Sequence, residues 1–494
     1  MQLGYILNRK KGETVAIQKI SLEDDDFKLA FIQGTLAIDC LEITLTQNAT
    51  DNPRIYTAAG SIFASPENGT EARLVWKRDE HHPYDQIATL NAMLRVQSGE
   101  LIPADHYFSL RAVDIAGNCW THPAVLLKRD EMQQAEILTV ACDSIQVEIA
   151  SDVKRTLVHY VFNDDLEMPM NVSLPSQDVI RGRRRLLIKN RVSAGVVDGM
   201  DISYYQVSAD KAGNSYEFAA VVQVGTEQPS DFHARLLEAI QFCVAKHAWP
   251  IMEEVIQGGK QIVTLSKSIP FNNGLVSSPL PSHASEEFYR LMECYYRYSC
   301  SEANGVDAAP LSKKVGGLFT LKGVWIDTIA LLLSVSVESV LQDPIFKNLG
   351  KPDKGLKALI NKLFDWVKQA PVDEDLIGRA TSAMGTMKSN RAVDKMFVLA
   401  KAGVIDEDEI KAWKALRNPT AHGSFELDPA KFQDLLDNVY KLVAMIYKLA
   451  FFRVGYVGKF SNYAARGWHE AHFDAAACKA GLDMLDSASA ATCG

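Results

Sequence analysis

The spacing of apolar and polar residues along the chain changes character near residue 226. Before that point, short alternating or β-branched runs are separated by turn-rich stretches, a pattern typical of antiparallel β-strands. These runs cover residues 41–45, 73–76, 107–113, 145–149, 186–188 and 219–224. After that point, apolar residues recur with helical spacing. The pattern predicts a multidomain α+β protein, with a β-rich, sandwich-like amino-terminal half followed by an all-α helical bundle.

The helical periodicity also gives approximate boundaries for individual elements. It predicts helices over residues 232–246, 285–299, 316–341, 355–368, 374–389, 392–402, 406–416 and 430–452. Asp231 is suited to cap the first of these, and Pro429 fits the first turn of the last. Residues 258–283 contain three prolines and several Gly and Ser residues, which predicts a long loop.

The same boundaries suggest a domain organisation. We expect a β-rich domain at 1–130, a second β-rich module or a continuation of the first at 131–226, a helix and long connecting loop at 231–283, the helical domain at 284–470, and an Ala- and Ser-rich tail at 474–494 that frays. The sequence Asp-x-Ala-Gly-Asn follows a predicted strand at 114–118 and again at 210–214. The repeat has two explanations: either two unrelated hairpins use the same turn residues, or the chain contains a duplicated β-sandwich of immunoglobulin or fibronectin type.

Composition and charge narrow the class of protein. The chain has 494 residues, 47% of them hydrophobic, and a net charge of −9, so any contact with RNA must come from a local patch rather than from bulk charge. The longest apolar run, 329–337, is too short to span a bilayer, and the first residues do not resemble a signal peptide. The eight cysteines form no CxxC pair and have no metal-ligand spacing, so we expect them to be reduced. We therefore expect a cytoplasmic protein with no membrane partner, no metal and no cofactor.

The segment with the clearest chemistry is 417–422. It places Arg417, Asn418 and His422 within six residues, between two predicted helices. Arginine binds phosphate oxygens through a planar fork of donors, and histidine both accepts and donates a proton near neutral pH. Cleavage of RNA without a metal needs these two abilities together. The alternative is an ordinary helix end, in which Asn418 and Pro419 stop the helix and Gly423 turns the chain.

A second candidate is the basic cluster that contains Arg181, Arg183, Arg184 and Arg185. Alternate residues of a strand share one face, so these arginines could present together to RNA phosphates. The alternative is a solvated strand edge whose charges discourage pairing with other chains. Residues 468–472 contain two histidines three apart but lack the spacing of a zinc hydrolase, and we expect a turn of surface helix there.

Several stretches together resemble a known family. Residues 414–423 (KALRNPTAHG) match the Arg-x(4–6)-His motif of HEPN domains, which are helical nucleotide- and RNA-binding domains. Residues 331–339 resemble the first long helix of the HEPN domain in ApeA-type abortive-infection proteins, and 451–458 with 462–463 resemble its end. Residues 60–62 and 110–114, followed by Gly117 and Trp120, resemble the β-rich domain that precedes it in those proteins.

The resemblance implies a function and roles for individual residues. Arg417 would contact the scissile phosphate, His422 would be the acid–base residue, and Asn418 would orient the phosphate or the histidine. Glu338 would face the motif from the first helix, and the alternative for it is surface exposure or an ordinary ion pair. The chain would be a metal-independent endoribonuclease of anti-phage defence that acts on RNA, possibly tRNA. It would form a homodimer through the HEPN domain, with the β-rich half sensing a phage-derived trigger. The alternative is a catalytically silent dimerisation or nucleotide-binding scaffold whose β-rich half recognises a partner.

Overall fold

A computed structural model gives the architecture of the chain. It describes residues 5–8, 14–17, 30–49, 51–77, 100–131, 135–153, 156–163, 166–173, 177–181, 184–209, 215–223, 228–269, 276–303, 307–320, 324–351, 354–387, 390–421 and 431–491. The chain divides into two compact units: one contains residues 1–233 and 248–270, and the other contains 234–247 and 271–494. The chain therefore passes between the two units three times.

The first unit is built from β-strands, as the alternating pattern predicted. The strands are β1 (Tyr5–Asn8), β2 (Thr14–Ile17), β3 (Leu36–Gln47), β4 (Ile55–Ser65), β5 (Gly69–Lys77), β6 (Phe108–Asp114), β7 (Cys119–Glu131), β8 (Ala135–Cys142), β9 (Ser144–Ala150), β10 (Leu157–Phe162), β11 (Val172–Ser173), β12 (Gln177–Arg181), β13 (Arg184–Val197), β14 (Met200–Ala209), β15 (Ser215–Gln223), β16 (Met252–Gln257) and β17 (Lys260–Ser266). β1 and β2 pair only with each other among the described strands, and the rest form one sheet. Every predicted β run overlaps one of these strands.

Part of this sheet closes on itself. The order β7-β6-β3-β4-β5-β8 returns to β7, because β7 pairs with β6 near its start and with β8 near its end. Strand β7 contains both residue 130 and residue 131, so the sheet runs across the boundary expected between 1–130 and 131–226. The interior of this ring is apolar: Ile43, Ile62, Leu74, Ala112 and Val140 are fully buried. Burial of these side chains on one face of each strand holds the ring together.

The remaining strands extend the sheet from the ring. β9 pairs with the start of β7, and the order then continues through β17, β16, β10, β15, β14 and β13 to β11 and β12. The prediction of a long loop at 258–283 is wrong for Lys260–Ser266, which forms β17. Gly258 and Gly259 have φ angles of +59° and +79° and form a two-residue hairpin turn between β16 and β17. Two adjacent glycines between β-branched runs predict a hairpin. This prediction was missed because the prolines later in the segment suggested a loop for all of it.

The turn at 114–118 is organised by one carboxylate. Asp114 Oδ1 accepts hydrogen bonds from the main-chain N–H groups of Ala116 and Asn118, at 2.9 and 2.8 Å. Its Oδ2 accepts from Asn118 Nδ2 and Trp120 Nε1, both at 3.0 Å. Burial opposes ionisation, but these hydrogen bonds lower the pKa of Asp114 below its usual 3.8. Gly117, with a φ of +86°, completes the predicted turn. The second copy of the pattern, at 210–214, lies outside the described residues.

The second unit is helical, which confirms the predicted change of class. Its helices are α1 (Phe232–Val244, of which residues 234–244 belong to this unit), α2 (Ser285–Glu302), α3 (Pro310–Val315), α4 (Ile326–Val340), α5 (Lys354–Lys368), α6 (Glu374–Met387), α7 (Ala392–Lys401), α8 (Glu407–Ala421), α9 (Phe432–Val454) and α10 (Ala475–Ala491). Strands β18 (Val457–Ser461) and β19 (Glu470–Asp474) form a hairpin after α9. None of the helices in the described ranges is long and apolar enough to cross a bilayer.

Aromatic rings form much of the core of the helical unit. Phe242 of α1 stacks on Tyr295 of α2 with ring centroids 4.4 Å apart, and it meets Tyr447 of α9 edge-on at 6.0 Å. Leu333 and Val337 of α4 are also fully buried. α4, α8 and α9 all contact one another. The carboxyl-terminal half of α9 is buried on nearly all sides, so this helix is the centre of the unit.

Three predictions for this unit are wrong. Residues 470–474 form strand β19 rather than a turn of surface helix. The segment 475–491 of the expected tail is helix α10, because alanine has the strongest intrinsic preference for a helix and Cys478 and Leu482 are buried against the unit. The helix expected from residue 316 begins at Ile326, after a short 3-10 helix at Gly316–Thr320.

Candidate active site

Helix α8 carries the first part of the Arg-Asn-x-x-x-His motif. The helix was expected to end at Leu416, but it continues through Arg417, Asn418 and Pro419 to Ala421. The motif therefore does not begin in a break between helices. Pro419 lacks the N–H that would bond to the main chain one turn earlier, so its presence costs the helix a hydrogen bond. Tertiary contacts of the preceding residues outweigh that local cost.

Those contacts join α8 to α4. Leu416 is buried, and Trp413 Nε1 donates a hydrogen bond to the carbonyl of Ser334 at 3.2 Å. One turn farther along both helices, Arg417 Nε donates to Glu338 Oε1 at 2.7 Å. Residues four apart lie on one face of a helix, so the two contacts form a single seam. Glu338 therefore lies beside Arg417 in an ion pair, which is the alternative to a role in the site, and its role in the site stays a prediction.

The amino-terminal end of α8 is fixed by a buried ion cluster. Lys448 Nζ of α9 donates to Glu409 Oε1 at 2.7 Å and also to Asp406. The main-chain N–H of Asp406 donates to Glu409 Oε2 at 3.0 Å, which is the glutamate half of a capping box at the start of the helix. Burial alone would lower the pKa of Lys448, but the carboxylates of Glu409 and Asp406 raise it. Lys448 is thereby held as a cation.

This cluster also joins α8 to α9. Lys448 lies in the later part of α9, whereas Asp406 and Glu409 lie at the start of α8. Both the ion cluster and the seam to α4 hold α8, so Arg417 is carried by a helix that is anchored at both ends.

The structure describes only part of the predicted catalytic set. Arg417 and Glu338 are brought together, and their side chains are 30% and 32% exposed. For Asn418 the helical backbone is described but not the side chain, and His422 lies outside the described residues. The structure thus gives the position of Arg417, while the roles of Arg417, Asn418 and His422 in binding and cleaving RNA stay predictions.

The basic cluster in the β-rich unit differs from its prediction. Arg181 ends β12 and Arg184 begins β13, and the two are paired across a hairpin, as are Ile180 and Arg185. The expectation that Arg181, Arg183 and Arg185 project from one continuous strand is therefore wrong, because the chain reverses direction between them. Arg183 lies outside the described residues, as do the side chains of the other three.

The geometry of the Arg417 pair defines what it can do chemically. A guanidinium has five N–H donors, and a phosphate can replace a carboxylate as their acceptor because both present paired anionic oxygens. At about one-third exposure the pair is accessible to a ligand and only moderately stabilised. In the described part of the chain, no cluster of three or more His, Cys, Asp or Glu side chains is placed to hold a metal ion.

Two supporting residues were not anticipated from the sequence. Trp413 fixes the seam, and Lys448 anchors the start of the helix. The spacing of Asp406 and Glu409 could have predicted the contact between them. Lys448 could not have been predicted, because it lies 39 residues beyond Glu409 and only the tertiary fold brings the two side chains together. Lys414, whose Nζ lies 4.9 Å from the centre of the Phe397 ring, adds a contact to α7.

Comparison of the chain with protein-family models gives no matching family, and comparison with curated proteins and with solved structures gives no significant match.

Proposed function

We propose that the chain is a metal-independent endoribonuclease whose active site is formed by Arg417 and His422. The observation that carries the proposal is the position of Arg417, which a seam of tertiary contacts holds at the end of α8, accessible and beside a carboxylate. An accessible cation fixed on a rigid helix is suited to bind a phosphate in one orientation. His422 follows five residues later in the sequence and supplies the proton transfer.

The reaction balances with these two groups. His422 accepts the proton of a ribose 2′-hydroxyl, and the 2′-oxygen then forms a bond to the adjacent phosphorus. Arg417 stabilises the negative charge that develops on the phosphorane oxygens. The bond from phosphorus to the 5′-oxygen breaks, and a protonated histidine returns a proton to that oxygen. The products carry a 2′,3′-cyclic phosphate and a 5′-hydroxyl.

The HEPN resemblance extends this proposal to a biological role. An ApeA-type protein would cleave host or phage RNA, possibly tRNA, after its β-rich half has sensed a phage-derived trigger. What supports this division is that the motif lies in the helical unit, whereas the sheet belongs to the other unit.

One observation favours a second candidate function. The pair between Arg417 and Glu338 accounts for both charges without any ligand, as a structural ion pair would. In that case the helical unit is a silent scaffold for dimerisation or nucleotide binding, and the β-rich unit recognises a partner. Nuclease activity separates the two candidates.

The test is cleavage of mixed cellular RNA by the purified full chain in excess EDTA, followed by mapping of the product ends. We expect the wild-type protein to cut and leave 2′,3′-cyclic phosphates, and the variants His422→Ala and Arg417→Ala to be inactive. His472→Ala is the matched control, because His472 is exposed in β19 and outside the proposed site. Equal cleavage by His422→Ala would exclude the proposed mechanism, and no cleavage by any of them would favour the scaffold.

A further inference from the structure

The loop between β18 and β19, residues 462–469, has no role in the proposed reaction. Within it Trp468 has a φ of +50°, in the left-handed region, directly after Gly467 at +79°. Glycine adopts that conformation freely, whereas a bulky side chain there strains the backbone. Such strain persists only where the surrounding structure enforces it, and it concentrates at binding and active sites. Trp468 is therefore a candidate for a ligand-binding residue.

Hydrogen bonds hold this loop in shape and fix it on helix α9. The main-chain N–H of Trp468 donates to the carbonyl of Ala465 at 3.0 Å. Arg466 donates to Asp437 Oδ2 of α9 twice, through Nε at 3.1 Å and through a terminal nitrogen at 2.6 Å. The strained conformation of Trp468 is thus imposed by contacts on both sides of it.

The indole of Trp468 rests on two tyrosines. Its ring centroid lies 5.1 Å from that of Tyr440 in α9 and 5.0 Å from that of Tyr463. The two tyrosine rings stack with centroids 6.2 Å apart and an angle of 14° between their planes. The Tyr463 hydroxyl donates to the carbonyl of Ser278 at 2.6 Å, which fixes that ring. Trp468 nevertheless remains 43% exposed, so the supported indole presents a rigid aromatic surface to solvent.

A cation lies two residues from this aromatic surface. The Arg466 side chain is 71% exposed, and Asp437 accepts from only part of its guanidinium, which leaves further N–H donors for a second acceptor. Glu470, the first residue of β19, is paired with Lys459 at 2.7 Å. The carboxylates of Asp437 and Glu470 are thus each matched by a cation, and an anion can approach Arg466.

We propose that Trp468 and Arg466 form a subsite for one nucleotide of single-stranded RNA, an inference that rests on the proposed function. The base stacks on the indole, and the guanidinium binds an adjacent phosphate. Proteins hold single strands in this way, because every base has a π-face and every nucleotide a phosphate. A protein interface needs a contiguous apolar patch of a few hundred Å². Among residues 462–469, all of which the structure describes, Trp468 is the one large apolar side chain that is exposed.

The subsite has a defined effect on the proposed reaction. Arg466 and Arg417 would bind different phosphates of the same strand, so Trp468 touches none of the reacting atoms. Its contact with the base is equally strong in the bound substrate and in the transition state. An interaction of that kind lowers KM and leaves kcat unchanged.

Binding is tested by fluorescence anisotropy on the full chain with a 2′-O-methyl oligoadenylate, which cannot be cleaved because its 2′-oxygen is blocked. The second probe is a base-free oligomer of the same length and charge. We expect Trp468→Leu, which keeps an apolar cover over the tyrosines, to raise the Kd for oligoadenylate about tenfold and to leave that for the base-free oligomer unchanged. Trp468→Phe should retain most of the affinity. Trp325→Leu is the matched control, because Trp325 is also exposed, at 79%, in another part of the unit.

Arg466→Gln should raise the Kd for both oligomers, because it removes a phosphate contact and not a base contact. Arg379→Gln, which breaks an exposed pair with Asp375, is its control. With cleavable RNA, Trp468→Leu should raise KM about tenfold at unchanged kcat. Equal affinities of the Leu and Phe variants, or an equal loss for the base-free oligomer, would overturn the subsite, as would a wild-type protein that binds neither probe. Base-dependent binding through Trp468 without any RNA cleavage would support the subsite and exclude the proposed nuclease.

Discussion

Arg417 in α8 and Glu338 in α4 form an ion pair between two helices, with Nε and Oε1 separated by 2.7 Å and both side chains about one-third exposed. Their residues lie 79 positions apart in the sequence. The carboxylate occupies a position from which it orients the guanidinium and also competes with any phosphate that approaches it. The ion pair thus helps to position the Arg417 guanidinium but opposes its binding to a phosphate.

Replacing Glu338 by Gln separates those effects. The amide keeps a hydrogen-bond acceptor for Arg417 but removes the competing charge. We expect the affinity of the His422→Ala protein for single-stranded RNA to rise about two- to fivefold, since exposed ion pairs contribute ~0.2–1 kcal/mol. Fluorescence anisotropy with a labelled RNA measures this. Glu286→Gln, which breaks the exposed pair with Arg290, is the control. A fall in affinity would show that Glu338 serves the site rather than competing with RNA.

The buried ion cluster at the start of α8 predicts a large effect on stability. Glu409→Gln leaves Lys448 buried with only the exposed carboxylate of Asp406 as its anionic partner. Removing one member of a buried ion pair costs ~3–5 kcal/mol of the free energy of unfolding, which urea denaturation measures. Asp408→Asn is the control, because it breaks a solvent-exposed pair with Lys411 on the same helix. It should leave the midpoint of the urea denaturation unchanged. Equal effects of the two variants would contradict the assigned role of the cluster.

Asp114 predicts a dependence of stability on pH. Its pKa is lower in the folded chain than the usual 3.8, so its contribution to stability is present above that value and is lost as the pH falls through and below it. Asp114→Asn leaves the N–H groups of Trp120 and Asn118 without a charged acceptor and should cost about 1–3 kcal/mol at neutral pH. The difference between wild type and variant, measured by urea unfolding, should shrink in acid. A difference that is constant with pH would exclude ionised Asp114 as the cause.

Gly60 predicts a steric effect in the ring of six strands. A Cβ at this position would lie 2.1 Å from the carbonyl oxygen of Arg73, which is main chain and cannot swing away. We expect Gly60→Ala to lower the free energy of unfolding by about 3 kcal/mol, the upper part of the range for overpacked cores. Gly316→Ala is the matched control, because nothing lies within 4 Å of its added Cβ. A thermal melt of the two variants separates the steric effect from a general effect of the substitution.

The sequence predicted the division into β-rich and helical units and most helices, because periodicity reports burial on one face of an element. The prediction from sequence failed where the secondary structure of a segment depends on contacts with residues distant in the sequence. α8 runs through Pro419 because Leu416 and Arg417 are held by other elements. The hairpin of β16 and β17 was missed because its glycines precede a proline-rich stretch, although its partners β9 and β10 give it a defined place.

The candidate site was predictable to a similar extent. Residue chemistry and spacing singled out Arg417, and the resemblance suggested Glu338 as an acid that faces the motif. The structure shows an ion pair between the two side chains, which an ordinary structural contact would also give. The arginines at 181–185 were predicted to share one face because alternate residues of a single strand do so. That rule does not apply to them, because the chain turns between Arg181 and Arg184. The one signal of this reversal in the sequence is Gly182, because two-residue hairpin turns favour glycine at their first position.

The placement of β16 and β17 between β10 and β9 has a consequence for synthesis. Strands β9 and β10 leave the ribosome more than 85 residues before their neighbours, if one counts from Phe162 to Met252. At 5–20 residues per second the two strands wait roughly 5–20 seconds with unpaired edges. During that interval helix α1 is also made. Between the appearance of β10 and that of Ser266, the nascent chain thus carries strand edges on which it can misassociate and which a chaperone would protect.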